Sequence, residues 1–387
     1  MMERLQMTKE ETNKLLDEYI QYLMDNSDAE HPYWNIEKVR SGKPNRWNYI
    51  DGCMISAILR LYKITGDEKY LKFADDFVSF YINEDGSVNT YSIEEYNLDN
   101  IRPACNLFTL YDLTGKEKYR RAMDTFRGQL KTHPRTEEGN FWHKEIYPNQ
   151  VWLDGLYMAQ PFYAEYERRY NKMSGCIDSF KQFRNVYRLM RDEDTGLYYH
   201  GYDESRKMYW ANPETGHSPN FWLRATGWYL AALVDTAEAM GEELYNEYRT
   251  LIDTFKELID NVLRYMDPGS RMFYQVIDKP EEKGNYLETS GSSLIAYTIL
   301  KAVRLGFIPK RYAAIGESIF YGVTDRYLSR NEDGTPRLGG ICLVAGLGGE
   351  QHRDGSLEYY FSEPVVENDA KGTAPLLLAY SEILANT

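Results

Sequence analysis

Residues 141–158 read Phe-Trp-His-Lys-Glu-Ile-Tyr-Pro-Asn-Gln-Val-Trp-Leu-Asp-Gly-Leu-Tyr-Met. Rings such as Trp152 suit the faces of a sugar, His143 and Lys144 suit an anion, and Asp154 can move a proton. The set fits an enzyme that acts on an acidic carbohydrate. Three further segments carry compatible groups: residues 97–103 with Asp99, residues 199–203 with His200, and residues 217–228 with Trp222, Arg224 and Trp228. Two carboxylates flanking a sugar are the usual equipment for acid/base work on a glycoside, provided one is protonated and the other ionised. Asp154 stands at the head of an apolar helical run, where the helix dipole favours the carboxylate. An acid role therefore requires burial, for example against Trp152, and a neighbouring carboxylate such as Asp99. Helix capping accounts equally well for Asp154 and for Asp99. Arg224 and Trp228 share a helical face, and a guanidinium beside an indole can hold a sugar carboxylate in a bidentate fork. Surface ion pairing for Arg224 and a satisfied core imidazole for His200 are the plainer roles.

The elements that must position these residues are helices. Apolar periodicity predicts twelve, near 9–26, 49–65, 67–82, 99–114, 116–132, 153–170, 174–190, 223–240, 242–264, 290–304, 309–328 and 371–385. A β-hairpin is expected at residues 196–202 and 207–210. The stretch Leu-Tyr-Lys-Ile-Thr-Gly-Asp-Glu-Lys-Tyr from Leu61 recurs 49 residues later as Leu-Tyr-Asp-Leu-Thr-Gly-Lys-Glu-Lys-Tyr from Leu110. Each copy reads as a helix end, a glycine C-cap and a new helix, so stacked hairpins follow. Six hairpins close naturally into a double ring, six helices inside and six outside. Several inferred inner helices begin with a polar residue beside glycine: Asp51-Gly52, Asp154-Gly155, Thr226-Gly227, Ser290-Gly291 and Gly372-Thr373. In a closed ring their N-termini converge on one mouth that favours anions, with glycine admitting a ligand to the backbone. Simple capping explains the pattern as well.

Bulk composition bounds the alternatives. A formal charge of -14 argues against nucleic acid and an anionic membrane surface. No apolar run is long enough to span a bilayer, and residues 1–10 carry no signal core. Cys53, Cys105, Cys176 and Cys342 lie far apart, which reads as reduced thiols in a cytoplasmic protein. The six histidines show no metal-ligand spacing, so neither metal nor other cofactor is expected. Most of the 34 tyrosines are expected to pack between helices. We expect one domain over residues 1–387, acting as a monomer or weak homo-oligomer.

The chain resembles the unsaturated rhamnogalacturonyl hydrolases of glycoside hydrolase family 105 over nearly its whole length. The blocks that carry the resemblance are Trp47-Asn48-Tyr49-Ile50-Asp51-Gly52, Leu98-Asp99-Asn100-Ile101, His143-Lys144, Trp152-Leu153-Asp154-Gly155-Leu156-Tyr157-Met158 and Trp222-x-Arg224-x-x-Gly227-Trp228. Further blocks are Ala345-Gly346-Leu347-Gly348-Gly349, Arg353-Asp354-Gly355-Ser356, Glu358-Tyr359-Tyr360 and Asn368-Asp369-x-Lys371-Gly372. The resemblance implies an (α/α)6 barrel and removal of a 4,5-unsaturated uronic acid from the non-reducing end of a lyase product by hydration of its C4=C5 bond. It implies Asp154 as general acid and base, with Asp99 as the carboxylate that helps keep it protonated. His200, Arg224, Trp228, Trp152, His143, Lys144, Met158 and Trp222 would contact substrate or line the pocket. Pro103-Ala104 and Gly201-Tyr202 depart from the family pattern near the mouth and bear on leaving-group preference. Unsaturated glucuronyl hydrolases of the same fold, a sugar 2-epimerase and a non-catalytic oligosaccharide-binding protein are the alternatives.

Overall fold

The structure, a computed structural model, describes residues 7–385. Its fourteen α-helices are α1 (Lys9–Asp25), α2 (Ile36–Ser41), α3 (Tyr49–Thr65), α4 (Glu68–Tyr81), α5 (Cys105–Thr114), α6 (Glu117–Thr132), α7 (Leu153–Tyr170), α8 (Cys176–Met190), α9 (Leu223–Met240), α10 (Tyr245–Leu263), α11 (Thr289–Arg304), α12 (Ala313–Tyr327), α13 (Leu357–Ser362) and α14 (Ala370–Ala385). Around an inner ring, α7 packs on α9, α9 on α11, α11 on α14, α14 on α3 and α3 on α5. The outer layer is α4, α6, α8, α10 and α12, with α1 tied to α14 by Tyr380 Oη donating to Asp17 Oδ1 at 2.9 Å. This is the (α/α)6 barrel, and the twelve expected helices are all present. Inner helices such as α9 are buried almost all round, whereas α10 buries only the face carrying Leu251, Phe255, Leu258 and Val262.

Both copies of the repeat end their first helix in the same way. Gly66 and Gly115 adopt φ values of 68° and 67° and donate their N–H groups to Tyr62 and Tyr111 carbonyls, each at 2.8 Å. These are left-handed C-caps that only glycine adopts without cost.

Three expectations need correction. The helix expected from residue 99 is broken: Leu98–Asn100 and Arg102–Ala104 are separate 3-10 turns, and α5 proper starts at Cys105. Pro103 supplies the reason, since it lacks the N–H that a continuing helix needs and constrains the residue before it. These turns meet α7, and α5 joins them through Phe108, which packs on Phe162 at 5.4 Å, and Asp112, which pairs with Arg169 at 2.8 Å; together they complete the inner ring.

The expected hairpin at 196–210 does not form. β2 (Gly201–Asp203) pairs instead with β1 (Gln150–Trp152), with Trp152 opposite Gly201. The Asp203 carboxylate accepts from the Ser205, Lys207 and Met208 backbone N–H groups, which folds the chain into a turn where a return strand was expected. Two more antiparallel ribbons pair β3 (Leu328–Arg330) with β4 (Pro336–Leu338) and β5 (Ile341–Cys342) with β6 (Val365–Val366). Among the described residues no helix is long and apolar enough to cross a membrane.

The polar-glycine pairs at the inner-helix starts also serve a different purpose from the one expected. Asn48 caps α3 and Glu288 caps α11, while Trp152 and Trp222 precede α7 and α9 without a side-chain cap. Asp51, Asp154, Thr226 and Ser290 therefore lie inside the helices. The glycines admit neighbouring protein: a Cβ on Gly52 would lie 2.7 Å from Pro103 Cα, and one on Gly227 2.8 Å from Leu294 Cβ. Gly155 leaves room for the His143 ring and Leu98. Because Pro103 Cα is main chain and cannot step aside, Gly52→Ala should lose about 1–3 kcal/mol of stability through overpacking. Urea unfolding measures this, and an unchanged midpoint would contradict the packing role.

Candidate active site

Backbone hydrogen bonds gather the four chemically equipped segments at one end of the ring. Leu98 N–H donates to the His143 carbonyl at 3.1 Å, His143 N–H to Gln150 at 2.9 Å, and Leu153 N–H to His200 at 3.1 Å. Leu223 N–H donates to the Gln275 carbonyl at 2.9 Å, which fixes the start of α9.

Asp154 occupies the first turn of α7 with a side chain 14% exposed, and its Oδ2 lies 3.3 Å from His200 Nε2. Neither of those two atoms has a well-formed hydrogen bond among the described residues. His200 is fully buried, and its Nδ1 is held by the Tyr360 hydroxyl at 2.7 Å. The imidazole is thus oriented from behind, with its other nitrogen turned to an uncommitted carboxyl oxygen.

Asp99 is anchored differently. Its Oδ2 accepts from Lys144 Nζ at 2.7 Å, and its Oδ1 lies 3.7 Å from His143 Nε2. Burial alone would raise Asp99, but the Lys144 ammonium and His143 hold it below its ordinary value. Asp99 is consequently ionised. Burial pulls His143 down to about 4, against the attraction of Asp99 and Asp154. At neutral pH His143 is an uncharged ring, and Lys144 alone supplies the balancing positive charge.

Arg224 is 2% exposed. Its Nε donates to Ser290 Oγ at 2.6 Å, its Nη2 donates to the Cys342 carbonyl, and Glu288 lies 3.7 Å away. Its guanidinium sits over Trp222, 5.3 Å from the ring centroid, so the indole beside it is Trp222, where the helical spacing had suggested Trp228. Trp222 also lies 4.8 Å from His200 and stacks on Tyr360 at 6.0 Å. Trp152 packs against His143 at 4.4 Å and Tyr147 at 4.9 Å, and Arg353 donates to the Tyr147 hydroxyl at 2.7 Å.

Asp154, Asp99, His143, Lys144, Trp152, His200, Trp222 and Arg224 are therefore brought together. Trp228 and Met158 lie a turn deeper on their helices and are almost wholly buried, with Trp228 stacked on Tyr157 at 4.7 Å. Tyr360, Glu288, Tyr147 and Arg353 also lie at this end but were given no individual role from sequence, and Ser290 was read only as a helix start. Tyr360 stands 160 residues from the histidine it orients. Its only sequence signal is its place in a C-terminal family block.

An uncommitted carboxyl beside an oriented imidazole, with buried cations close by, can move protons on an anionic ligand. On this barrel the arrangement defines a carbohydrate-processing enzyme. Comparison with known proteins agrees. Residues 9–387 match the model of Glycosyl Hydrolase Family 88. A family 105 glycoside hydrolase from C. acetobutylicum ATCC 824 superposes with a TM-score of 0.89 and 41% identity, covering 97% of this chain and 99% of the other. The unsaturated rhamnogalacturonyl hydrolase YesR of Bacillus subtilis (strain 168) is 25% identical over 282 residues, 70% of this chain and 76% of the relative. An unsaturated glucuronyl hydrolase specific for heparin shares the fold, with a TM-score of 0.66, 14% identity and 96% of each chain covered. The chain belongs to glycoside hydrolase family 88/105 and is a glycosidase.

The buried histidines give the fold a pH signature. Burial draws both His133 and His143 to about 4 from an ordinary 6.5. His133 is satisfied as a neutral ring, with Nε2 bonded to the Trp142 carbonyl at 2.8 Å and Nδ1 facing the Gln129 amide at 3.3 Å. Between pH 6.5 and 4 the unfolded chain binds more protons than the native one, so stability is full above 6.5 and falls toward 4. Each histidine contributes up to about 3 kcal/mol. His133→Leu should flatten this dependence in denaturation measured across that window; an unaltered slope would contradict the assignment.

Proposed function

We propose that this enzyme removes a 4,5-unsaturated uronic acid from the non-reducing end of lyase-generated oligosaccharides, with rhamnogalacturonan fragments as the preferred class. The observation that carries the reading is the uncommitted Asp154 carboxyl beside the buried, tyrosine-held His200. Family membership supports the reaction class, and similarity to YesR supports the substrate class. The four free cysteines, three of them buried, support a reducing, cytoplasmic setting.

In this reading protonated Asp154 delivers its proton to C4. The C4=C5 electron pair becomes the new C4–H bond, leaving positive charge shared by C5 and the ring oxygen. The Asp154 carboxylate then takes a proton from water as that water adds to C5, which restores the acid. The resulting hemiketal opens by breaking the bond from C5 to the ring oxygen, giving a C5 ketone. The hemiacetal left at C1 collapses to an aldehyde and releases the remaining sugar as an alcohol. One water is consumed, and the configuration at C1 plays no part.

Ionised Asp99, kept in place by Lys144, supplies negative charge for the cationic transition state. Arg224, fixed by Ser290 and the Cys342 carbonyl, offers its remaining N–H groups to the uronate carboxylate.

The unsaturated uronate absorbs in the near ultraviolet, and hydration abolishes that absorbance. Loss of signal is expected with lyase-digested rhamnogalacturonan, and Asp154→Asn should lower kcat by about 10²–10⁴-fold. Wild-type activity in that variant would sink the acid assignment. Arg224→Ala should raise KM by about 10–100-fold through loss of a charged hydrogen bond; an unchanged KM would remove it as carboxylate clamp. A panel of unsaturated disaccharides from pectin, ulvan and arabinogalactan-type glycans tests the substrate class, and faster turnover of a non-pectin member would overturn the preference.

A further inference from the structure

The ring has a second opening. At the end remote from Asp154, the last turns of the inner helices enclose a cavity of about 350 Å³. Its innermost cation is Arg102, 5% exposed, projecting from the 3-10 turn that precedes α5. The guanidinium lies over the Tyr157 ring at 4.0 Å, and Tyr157 is stacked in turn on Trp228. Its Nη atoms reach Ser56 Oγ at 3.4 Å and Cys105 Sγ at 3.5 Å, the Cys53 thiol lies beside it, and its buried Nε has no partner among the described residues. Among the described residues no carboxylate lies within ion-pair distance of it. Lys63, at the cavity rim, is in the same position: its Nζ contacts Thr109 Oγ1 at 3.1 Å and no carboxylate.

The acidic side chains facing this space are all occupied. Asp235 and Glu238 share Lys301 at 2.9 and 2.6 Å, Glu382 is held by Arg60 and Arg304, and Glu165 by Arg169. The surplus charge in the cavity is therefore positive, in a chain whose formal net charge is -14. A buried guanidinium without a counter-charge is costly, and an oxyanion that accepts two parallel hydrogen bonds, a carboxylate or a phosphate, matches its fork of donors. The volume falls in the range of small-molecule sites.

We infer that this basal cavity binds a small oxyanion, a phosphate or a carboxylate, on Arg102 and Lys63. The site is separate from the hydration chemistry at the mouth and does not depend on it. Because the mouth is also cationic, the test must tell the two ends apart. Calorimetric titration of the full-length protein with inorganic phosphate, and separately with malonate, supplies the two ligand chemistries. We expect saturable binding of at least one probe, weakened tenfold or more by Lys63→Glu and by Arg102→Gln but unchanged by Lys144→Gln at the mouth. Lys63 is solvent-exposed at the rim, so its variant reports even where removing the buried Arg102 prevents folding, and its hydrolytic rate should equal wild type. The probe that binds identifies the chemistry. Binding of neither probe, binding indifferent to Lys63→Glu, or binding abolished by Lys144→Gln would overturn the inference.

Discussion

Everything at the mouth depends on the last helix, α14, filling the gap between α11 and α3. The seam is polar as well as packed. Tyr19 Oη donates to Asn368 Oδ1 at 3.0 Å and meets Thr373 Oγ1 at 3.1 Å, and Ala370 N–H donates to the Trp34 carbonyl at 2.9 Å. Fully buried Lys371 bridges Glu37 at 2.7 Å and Asp369 at 3.1 Å. Apart from the local Lys371–Asp369 pair, these contacts join residues more than 300 positions apart, so their loop-closure entropy is offset only when the whole ring forms. The same closure carries the C-terminal segment over the mouth, where the Cys342 carbonyl meets Arg224 and the Tyr360 hydroxyl meets His200.

Within that frame the site is electrostatically asymmetric. One carboxylate, Asp99, is clamped by an ammonium and kept charged; the other, Asp154, has a buried oxygen, Oδ2, with no donor among the described residues. Two imidazoles stand beside them: buried His143 is neutral at physiological pH, and His200 is held by Tyr360. Arg224 is immobilised by protein acceptors before any ligand arrives. Such preorganisation lets donors and charges act on a developing transition state without reorganising at the moment of reaction.

Sequence conveyed the barrel well because its information is local. Helical periodicity and the glycine C-caps at Gly66 and Gly115 are written within a few residues, and the ring follows from counting. It conveyed less wherever a distant partner decides. Pro103 interrupts the helical pattern locally, but its seat against Gly52, on another helix, is not written in the neighbouring residues. Residues 201–203 join β1 instead of folding back, since Asp203 turns the chain away. Asp154 looks like a cap in one dimension, but the chain enters α7 from a strand and places it inside the first turn. Arg224 pairs with Trp222 because Ser290 and Cys342 pull its guanidinium toward the mouth. Tyr360 and Glu288 could not be assigned roles before the ring closed.

The central claim is that Asp154 protonates a carbon rather than a glycosidic oxygen. The fate of solvent hydrogen tests it directly. Turnover of an unsaturated disaccharide in D2O, with early product trapped by borohydride reduction, should place one deuteron on C4 in a single configuration and eliminate the C4=C5 bond in the NMR spectrum. Release of the leaving sugar with the double bond intact and no deuterium at C4 would contradict the account.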